Sequence, residues 1–493
     1  MAINFRNLFF KNIETKQTLF KNTFWLTVAE VISRFLQLAL FVYMARILGV
    51  TDYGKFALAL SFVSVVVIFS DLGLIDITTR EFAREKEAEK EYPAVLSLKI
   101  ILSIGALILM WIGSFLISSD PVVQKTIWIL AVFILISSFL NIIYAFLRAR
   151  QKMEYEAVTR IIQSILMVGL GFFVLFIIPS VENLSLAYLC ANLIILTFVL
   201  LFFHFTFRFL KLNYSKSIWR KFLKLSWPLS LGFVMGWIYV SIDSVMLGFF
   251  GQVDQVGWYN AAYKIIVAIV ISATLISRSF YPILSKFIKK SKEKFQEIWN
   301  YQMKIMIVLA VPITIGGLVL APKIINLFYG PGYSPSVLAF RCLVFICFID
   351  FLYLPYAMAL VVSNQQKKNF GLLLMGSLIN VILNLILIPS YGFYGTAIAT
   401  MVATTIVFVA AGFFLKRLTP VSPFNLKLFR ILITSIIAGI VMFIGIRLLV
   451  IYNLNLLFII IAGGLIYFFV LFFLCKLLSN INYLKFCKRN KEF

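Results

Sequence analysis

The chain has 493 residues, 62% of them hydrophobic and only 13% charged, with a formal net charge of +25 and a mean hydropathy of +0.99. A soluble protein of this length needs far more charge to cover its cores, and 51 Phe against 13 Pro is not the composition of a disordered or collagenous chain, so all three classes are excluded. Five Cys without metal-ligand spacing and a single histidine, His204, imply no metal site and no cofactor, and basic residues scattered in short clusters between apolar runs point to a membrane surface and not to nucleic acid.

A helix needs about 20 mostly apolar residues to cross roughly 30 Å of hydrocarbon. Taken in chain order, that window predicts fourteen spans: 22–44, 53–76, 95–117, 126–147, 157–178, 184–207, 225–249, 258–279, 301–321, 336–362, 370–388, 393–415, 428–449 and 456–478. The expected fold is therefore an all-α integral membrane protein. An even number of spans puts both termini on one side. Of the 45 Lys and Arg residues, 37 fall on that side, five on the other and three within spans, a bias that places both termini in the cytoplasm. The first apolar run starts after 21 residues and contains Glu30 and Arg34, so it reads as a retained span and not as a cleaved signal. Outward loops are short. The longest, about 322–335, holds no acidic residue and no histidine, which argues against a membrane-embedded polymerase or glycosyltransferase and for a protein that is not an enzyme.

The chain repeats itself. Gly49-Val50-Thr51-Asp52-Tyr53-Gly54, between spans one and two, matches Gly251 to Gly257 between spans seven and eight. Pro179-Ser180 matches Pro389-Ser390, and Gln151-Lys152 resembles Gln366-Lys367. Two six-helix lobes in the same orientation are predicted, 1–207 and 225–415, joined by a cytoplasmic amphipathic linker at 208–224 and followed at 416–493 by a helix pair with a basic tail.

The run Ala45-Arg46-Ile47-Leu48-Gly49 through Gly54, followed by Ser70-Asp71-Leu72-Gly73-Leu74 and Thr79-Arg80-Glu81, resembles the N-terminal pattern of the polysaccharide transport family. These are the O-antigen and capsule repeat-unit flippases of the multidrug/oligosaccharidyl-lipid/polysaccharide exporter superfamily. The resemblance runs over essentially the whole chain. It implies a flippase that moves polyprenyl-diphosphate oligosaccharides from the cytoplasmic to the outer leaflet of the cell membrane, with membrane lipids and polysaccharide polymerase machinery as partners. An ion-coupled multidrug antiporter and a peptidoglycan-precursor flippase of the same superfamily stay open beside it.

Charges inside spans mark candidate sites, because a lipid-facing charge at the bilayer centre costs roughly 2.5–3.5 kcal/mol on insertion scales. Arg34 lies near the middle of span one, where Thr27, Glu30, Arg34 and Gln37 form one polar stripe. Arg34 is expected either to contact the substrate diphosphate or to pair with Glu30 at i, i+4. Lys264 and Arg341 are second cationic candidates, each balanced against snorkelling to the interface. Among the acids, Asp71 and Asp243 are candidates for a coupling proton or for partners of the cations, and Asp76 and Asp350 are weaker ones. Asn380 and Asn384, with Ser377, form a further stripe suited either to sugar hydroxyls or to interhelical hydrogen bonds. The repeat aligns Arg34 with about Gly236, so the fold is duplicated and the cation is not.

Overall fold

The computed structural model describes residues 12–13, 15–207, 212–423, 425–452 and 454–489. Thirteen α-helices follow one another among them: α1 Thr15–Val66, α2 Leu74–Arg84, α3 Tyr92–Ile117, α4 Pro121–Ala149, α5 Met153–Ile177, α6 Val181–Phe207, α7 Lys216–Phe249, α8 Val253–Phe287, α9 Lys292–Tyr329, α10 Ser336–Val362, α11 Gln366–Leu418, α12 Leu426–Ile451 and α13 Leu456–Arg489. Eleven stretches among the described residues are long and apolar enough to cross a membrane. Two of these contain α1 and α11, helices of 52 and 53 residues, or about 80 Å each at 1.5 Å per residue. A bilayer is far thinner than that.

Each long helix is interrupted at a glycine in a conformation that L-residues rarely adopt, Gly49 at φ 76°, ψ −179° and Gly392 at φ 57°, ψ −138°. Side-chain contacts show that the chain turns back there. Lys21 near its start pairs with Glu154 at the head of α5 (2.7 Å), whereas Lys55, just past Gly49, pairs with Asp120 at the head of α4 (2.8 Å). The length of α4 separates those two levels, and Ser70, at the end of the same run, accepts from Lys99 near the start of α3 at 2.8 Å, so α1 goes out and returns and counts as two spans. With α11 counted twice and α7 added, the fourteen predicted spans are all present.

The sequence repeat is a repeat of backbone geometry. Gly49 and Gly251 share nearly the same left-handed φ, 76° and 74°. The two motifs also pack on each other reciprocally: a Cβ on Gly54 would stand 2.2 Å from the carbonyl oxygen of Val253, and one on Gly257 would stand 2.4 Å from that of Val50. Only glycine permits that approach. The turns at Gln151 and Asn364, both at φ 58°, carry the same hydrogen bond, Lys152 N–H to the Leu147 carbonyl at 3.0 Å and Gln365 N–H to the Leu360 carbonyl at 2.9 Å. The true register of this match is therefore Gln151 with Asn364, two residues earlier than the side chains suggest.

Residues 216–224 of the expected linker are the first turns of α7. Trp219 donates its indole N–H to the Ala94 carbonyl at 2.9 Å, and Lys221 pairs with Glu91 at 2.7 Å, which docks this segment on the start of α3. Arg208 and Lys211 lie outside the described residues. By packing, the described chain forms two units, one reaching to Lys264 and including Asn380–Thr396, the other comprising Ile265–Ile379 and the chain from Ala397 on.

Candidate functional site

The rotation of α1 is fixed by the face it buries. Ala29 and Leu40 are almost fully buried, Ser33 and Ser164 of α5 share a hydrogen bond at 2.8 Å, and Gly171 of α5 leaves room for Leu40. Glu30, Arg34, Gln37 and Phe41, spaced by four, three and four residues, line the adjoining face. Arg34 keeps 47% of its side chain exposed and donates from Nε to Glu30 Oε1 at 2.9 Å. Arg34 makes no other ion pair or hydrogen bond among the described residues. Lys264 of α8 joins this face: its Nζ lies 4.5 Å from the Phe41 ring centroid, and it stands within electrostatic range of Arg34. Gln37, one turn past Arg34 on this face, is half-buried. Glu30 pairs with Arg34 and no ion pair of Lys264 is found among the described residues, so the face carries an excess positive charge.

The acids separate by their partners. Asp71 sits where the second pass of α1 unwinds, between the 3-10 turn Val67–Ser70 and α2, and Leu72 and Gly73 there both take positive φ, 44° and 77°. That break orphans the Ser70 carbonyl. Lys99 of α3, fully buried, fills the gap: its Nζ donates to the Ser70 carbonyl at 2.8 Å and to Ser138 Oγ at 2.6 Å, and stands 3.4 Å from Asp71 Oδ1. Asp71 is thus the partner of Lys99. Counting Lys99 with the basic loop hides its role, although the apolar run Val95 to Leu102 around it was a usable signal.

Asp243 of α7, almost fully buried, accepts from the Tyr259 hydroxyl at 2.6 Å and from Asn384 Nδ2 at 2.8 Å, and the same Asn384 nitrogen bonds Asn380 Oδ1 at 3.0 Å. Asn380 and Asn384 are fully buried and serve interhelical bonding here, while the Oδ1 of Asn384 has no partner among the described residues. Tyr259, part of this cluster, carries no sequence signal beyond its place in the repeat. In the other packing unit, Arg341 donates from Nε to the Leu318 carbonyl at 3.2 Å. Pro322, four residues on, has no N–H to give that carbonyl, so the guanidinium repairs a helix bond that proline removes. Gly236, the repeat counterpart of Arg34, has nothing within 4 Å of where a Cβ would stand.

Residues 19–288 match the model of a family described as polysaccharide biosynthesis protein. The chain is 25% identical over 399 residues to the probable flippase AglR of Haloferax volcanii, covering 77% of this chain and 79% of that protein. It is 21% identical over 405 residues to the capsular polysaccharide biosynthesis protein CapF of Staphylococcus aureus, covering 81% and 99%. Among solved structures, lipid II flippase MurJ in an inward closed conformation superposes with a TM-score of 0.74 at 18% identity over 93% of this chain and 99% of that one. An inward-facing multidrug resistance transporter of the MATE family superposes with a TM-score of 0.64 at 16% identity over 78% and 95%. At such identities the structural likeness is one of fold.

Proposed function

The chain belongs to the polysaccharide biosynthesis protein family, and from that membership we propose that this multi-pass membrane protein flips polyprenyl-diphosphate oligosaccharide repeat units from the cytoplasmic to the outer leaflet. The observation that carries the reading is the excess positive charge at Arg34 and Lys264, with Glu30 the one acid found on that face among the described residues. A guanidinium with free donors presents a planar fork to phosphate oxygens and stays charged when partly desolvated. Glu30 holds Arg34 in place until the diphosphate arrives and then shares it. Names of relatives such as the probable flippase AglR, and of two putative O-antigen transporters, support the same substrate class.

Transport is by alternating access between the two six-helix lobes, with both termini cytoplasmic, and no bond is made or broken. The Gly54 and Gly257 contacts close the end opposite the basic one, and they part to release the head group. The prenyl chain stays in apolar surroundings. An apolar groove of about 430 Å³ between α9, α10, α12 and α13, lined by Pro312, Gly316, Val344 and Ile460, offers a surface of that kind. Polysaccharide polymerase machinery would receive the product. The MATE likeness raises a second reading, an ion-coupled drug antiporter, and the MurJ likeness a third, a peptidoglycan-precursor flippase. A surplus of bases over acids on the Arg34 face favours an anionic head group over a cationic drug.

The test is restoration of surface polymer in a strain lacking its repeat-unit flippase. The intact chain is expected to restore polymer, Arg34→Ala to lose at least about tenfold, as removal of a charge-assisted hydrogen bond of roughly 1.5–3 kcal/mol requires, and Arg34→Lys to keep part of the activity. Dye efflux without polymer rescue would overturn the reading in favour of the antiporter.

A further inference from the structure

The start of α7 carries a basic face that the Arg34 site does not use. Between Phe207 and Asp243 the chain holds no acidic residue. Lys216, Arg220 and Lys224 are spaced by four in this stretch and share one exposed face of the helix, and no ion pair or hydrogen bond of the three is found among the described residues. Cations beside them are matched instead: Lys90 stands against Glu87, Arg150 takes Glu89 and Lys221 takes Glu91. The opposite face of the same turns is used by protein. Phe222 is fully buried, Trp219 donates to the Ala94 carbonyl of α3, and Ser97 Oγ of α3 donates to the Asn213 carbonyl at 2.6 Å. An amphipathic surface helix sinks its apolar face into the headgroup boundary. Here α3 covers that face, so the three cations are held outward at a fixed depth.

That depth is the headgroup layer. With 34 residues α7 is about 51 Å long, whereas the hydrocarbon core takes up roughly 30 Å. Its apolar stretch, 225–249, fills the hydrocarbon with some tilt, which leaves 216–224 among the lipid phosphates. Trp227, three residues past Lys224 on the same face, is 62% exposed, and an indole there marks the boundary between headgroups and acyl chains. Ile242 and Val245 follow Lys224 and Trp227 by about five turns, and Phe249 comes four residues later; all three are apolar and none is fully covered. A helix face that runs from cations through an indole to apolar side chains matches a lipid molecule from phosphate to acyl chain. A water-filled cleft gives no place to its apolar half.

We propose that this face of α7 is a binding site for anionic phospholipid in the leaflet at the basic end of the bundle, with the lipid phosphate on Lys216, Arg220 and Lys224 and an acyl chain along Trp227. The proposal needs only a membrane-embedded chain and is independent of the substrate proposed above. Arg220 offers phosphate oxygens a planar fork, and the two lysines add point charges one turn to either side. A zwitterionic lipid brings its own cation to the same place and gains less from them. Lys221, although next to Arg220 in sequence, is spent on Glu91 and contributes to the docking on α3 instead.

The test uses the full-length protein in nanodiscs of phosphatidylcholine and phosphatidylglycerol, with one of the two lipids brominated on its acyl chains. Brominated phosphatidylglycerol is expected to quench tryptophan fluorescence more strongly than brominated phosphatidylcholine at equal fraction, and Trp227→Phe should remove that excess, which singles out one indole among eight. A basic residue at a charged lipid surface contributes a factor of about five in affinity, so Arg220→Gln should lower the preference roughly fivefold, while Arg220→Lys keeps most of it. Lys216→Gln/Arg220→Gln/Lys224→Gln should abolish it, as should 1 M salt, where the screening length falls to about 3 Å. Lys290→Gln removes an exposed cation elsewhere and should change nothing. The three stripe residues are exposed, so their replacement leaves the Trp219 and Lys221 contacts intact and the variants fold. Equal quenching by the two lipids, an equal loss in Lys290→Gln, or displacement of the brominated phosphatidylglycerol by inorganic diphosphate at matched ionic strength would overturn the proposal. None of these outcomes touches the transport reading, because no substrate is present.

Discussion

The basic end of the first lobe and the Arg34 face hold the same kinds of side chain and use them oppositely. At the basic end cations are matched to acids. Lys21 is fully buried against Glu154, with Asn12 Oδ1 also accepting from it at 2.6 Å. Glu156 is clamped by Arg148 at 2.7 Å and by Arg160 at 2.9 Å, Arg150 takes Glu89, and Lys99 takes Asp71. On the Arg34 face two cations stand beside one half-exposed acid, which pairs with Arg34 alone. Matched and dry charges brace a helix bundle, whereas unmatched and open charges are free to meet a ligand. Charge count alone does not distinguish the two; burial and partner number do.

Three measurements would break or sharpen that contrast. The largest effect is expected at the matched end. Lys99→Met removes the cation beside Asp71 and the donor to the Ser70 carbonyl and Ser138, and should cost roughly 3–5 kcal/mol, read as a lowered thermal midpoint in detergent, with Lys99→Met/Asp71→Asn recovering part of it. An unchanged midpoint would remove Lys99 from the brace. Next comes the glycine contact. Gly54→Ala places a methyl carbon 2.2 Å from the Val253 carbonyl oxygen, so that end can no longer close. Transport should be lost while a cysteine placed beside Gly257 becomes more reactive to an impermeant reagent from outside; equal labelling in both proteins would show that the contact is not a gate. The smallest shift belongs to Glu30→Gln, which breaks only an exposed i, i+4 pair and should change stability by less than about 1 kcal/mol. The same variant should bind inorganic diphosphate more tightly, because Arg34 is then uncommitted. Weaker binding would mean that Glu30 orients the guanidinium.

The legible parts of the site were those set by helical spacing. Glu30, Arg34 and Gln37 share a face because the α-helix repeats every 3.6 residues, and the i, i+4 pair follows from the same geometry. What could not be read were pairings between helices. Lys99 and Asp71 lie 28 residues apart, and nothing local tells a lysine in an apolar run whether it snorkels or meets an unwound turn. Arg341 shows the same limit: Pro322 frees a carbonyl at a predictable place, but which side chain answers it depends on how two helices are levelled. Asn380 and Asn384 make a legible stripe whose partner, Asp243, comes from a helix over a hundred residues away.

Local chemistry fixed the number of spans, the orientation expected from the lysine and arginine bias, the repeat and the position of the midplane cation Arg34, since each follows from hydrophobic length, charge placement or helical period. The tertiary structure decided which charges are neutralised, that Lys264 faces the Arg34 stripe over Phe41, and that Gly54 and Gly257 close on opposing carbonyls. Partner choice among buried groups is a matter of distances between helices, and those distances come from packing the whole chain.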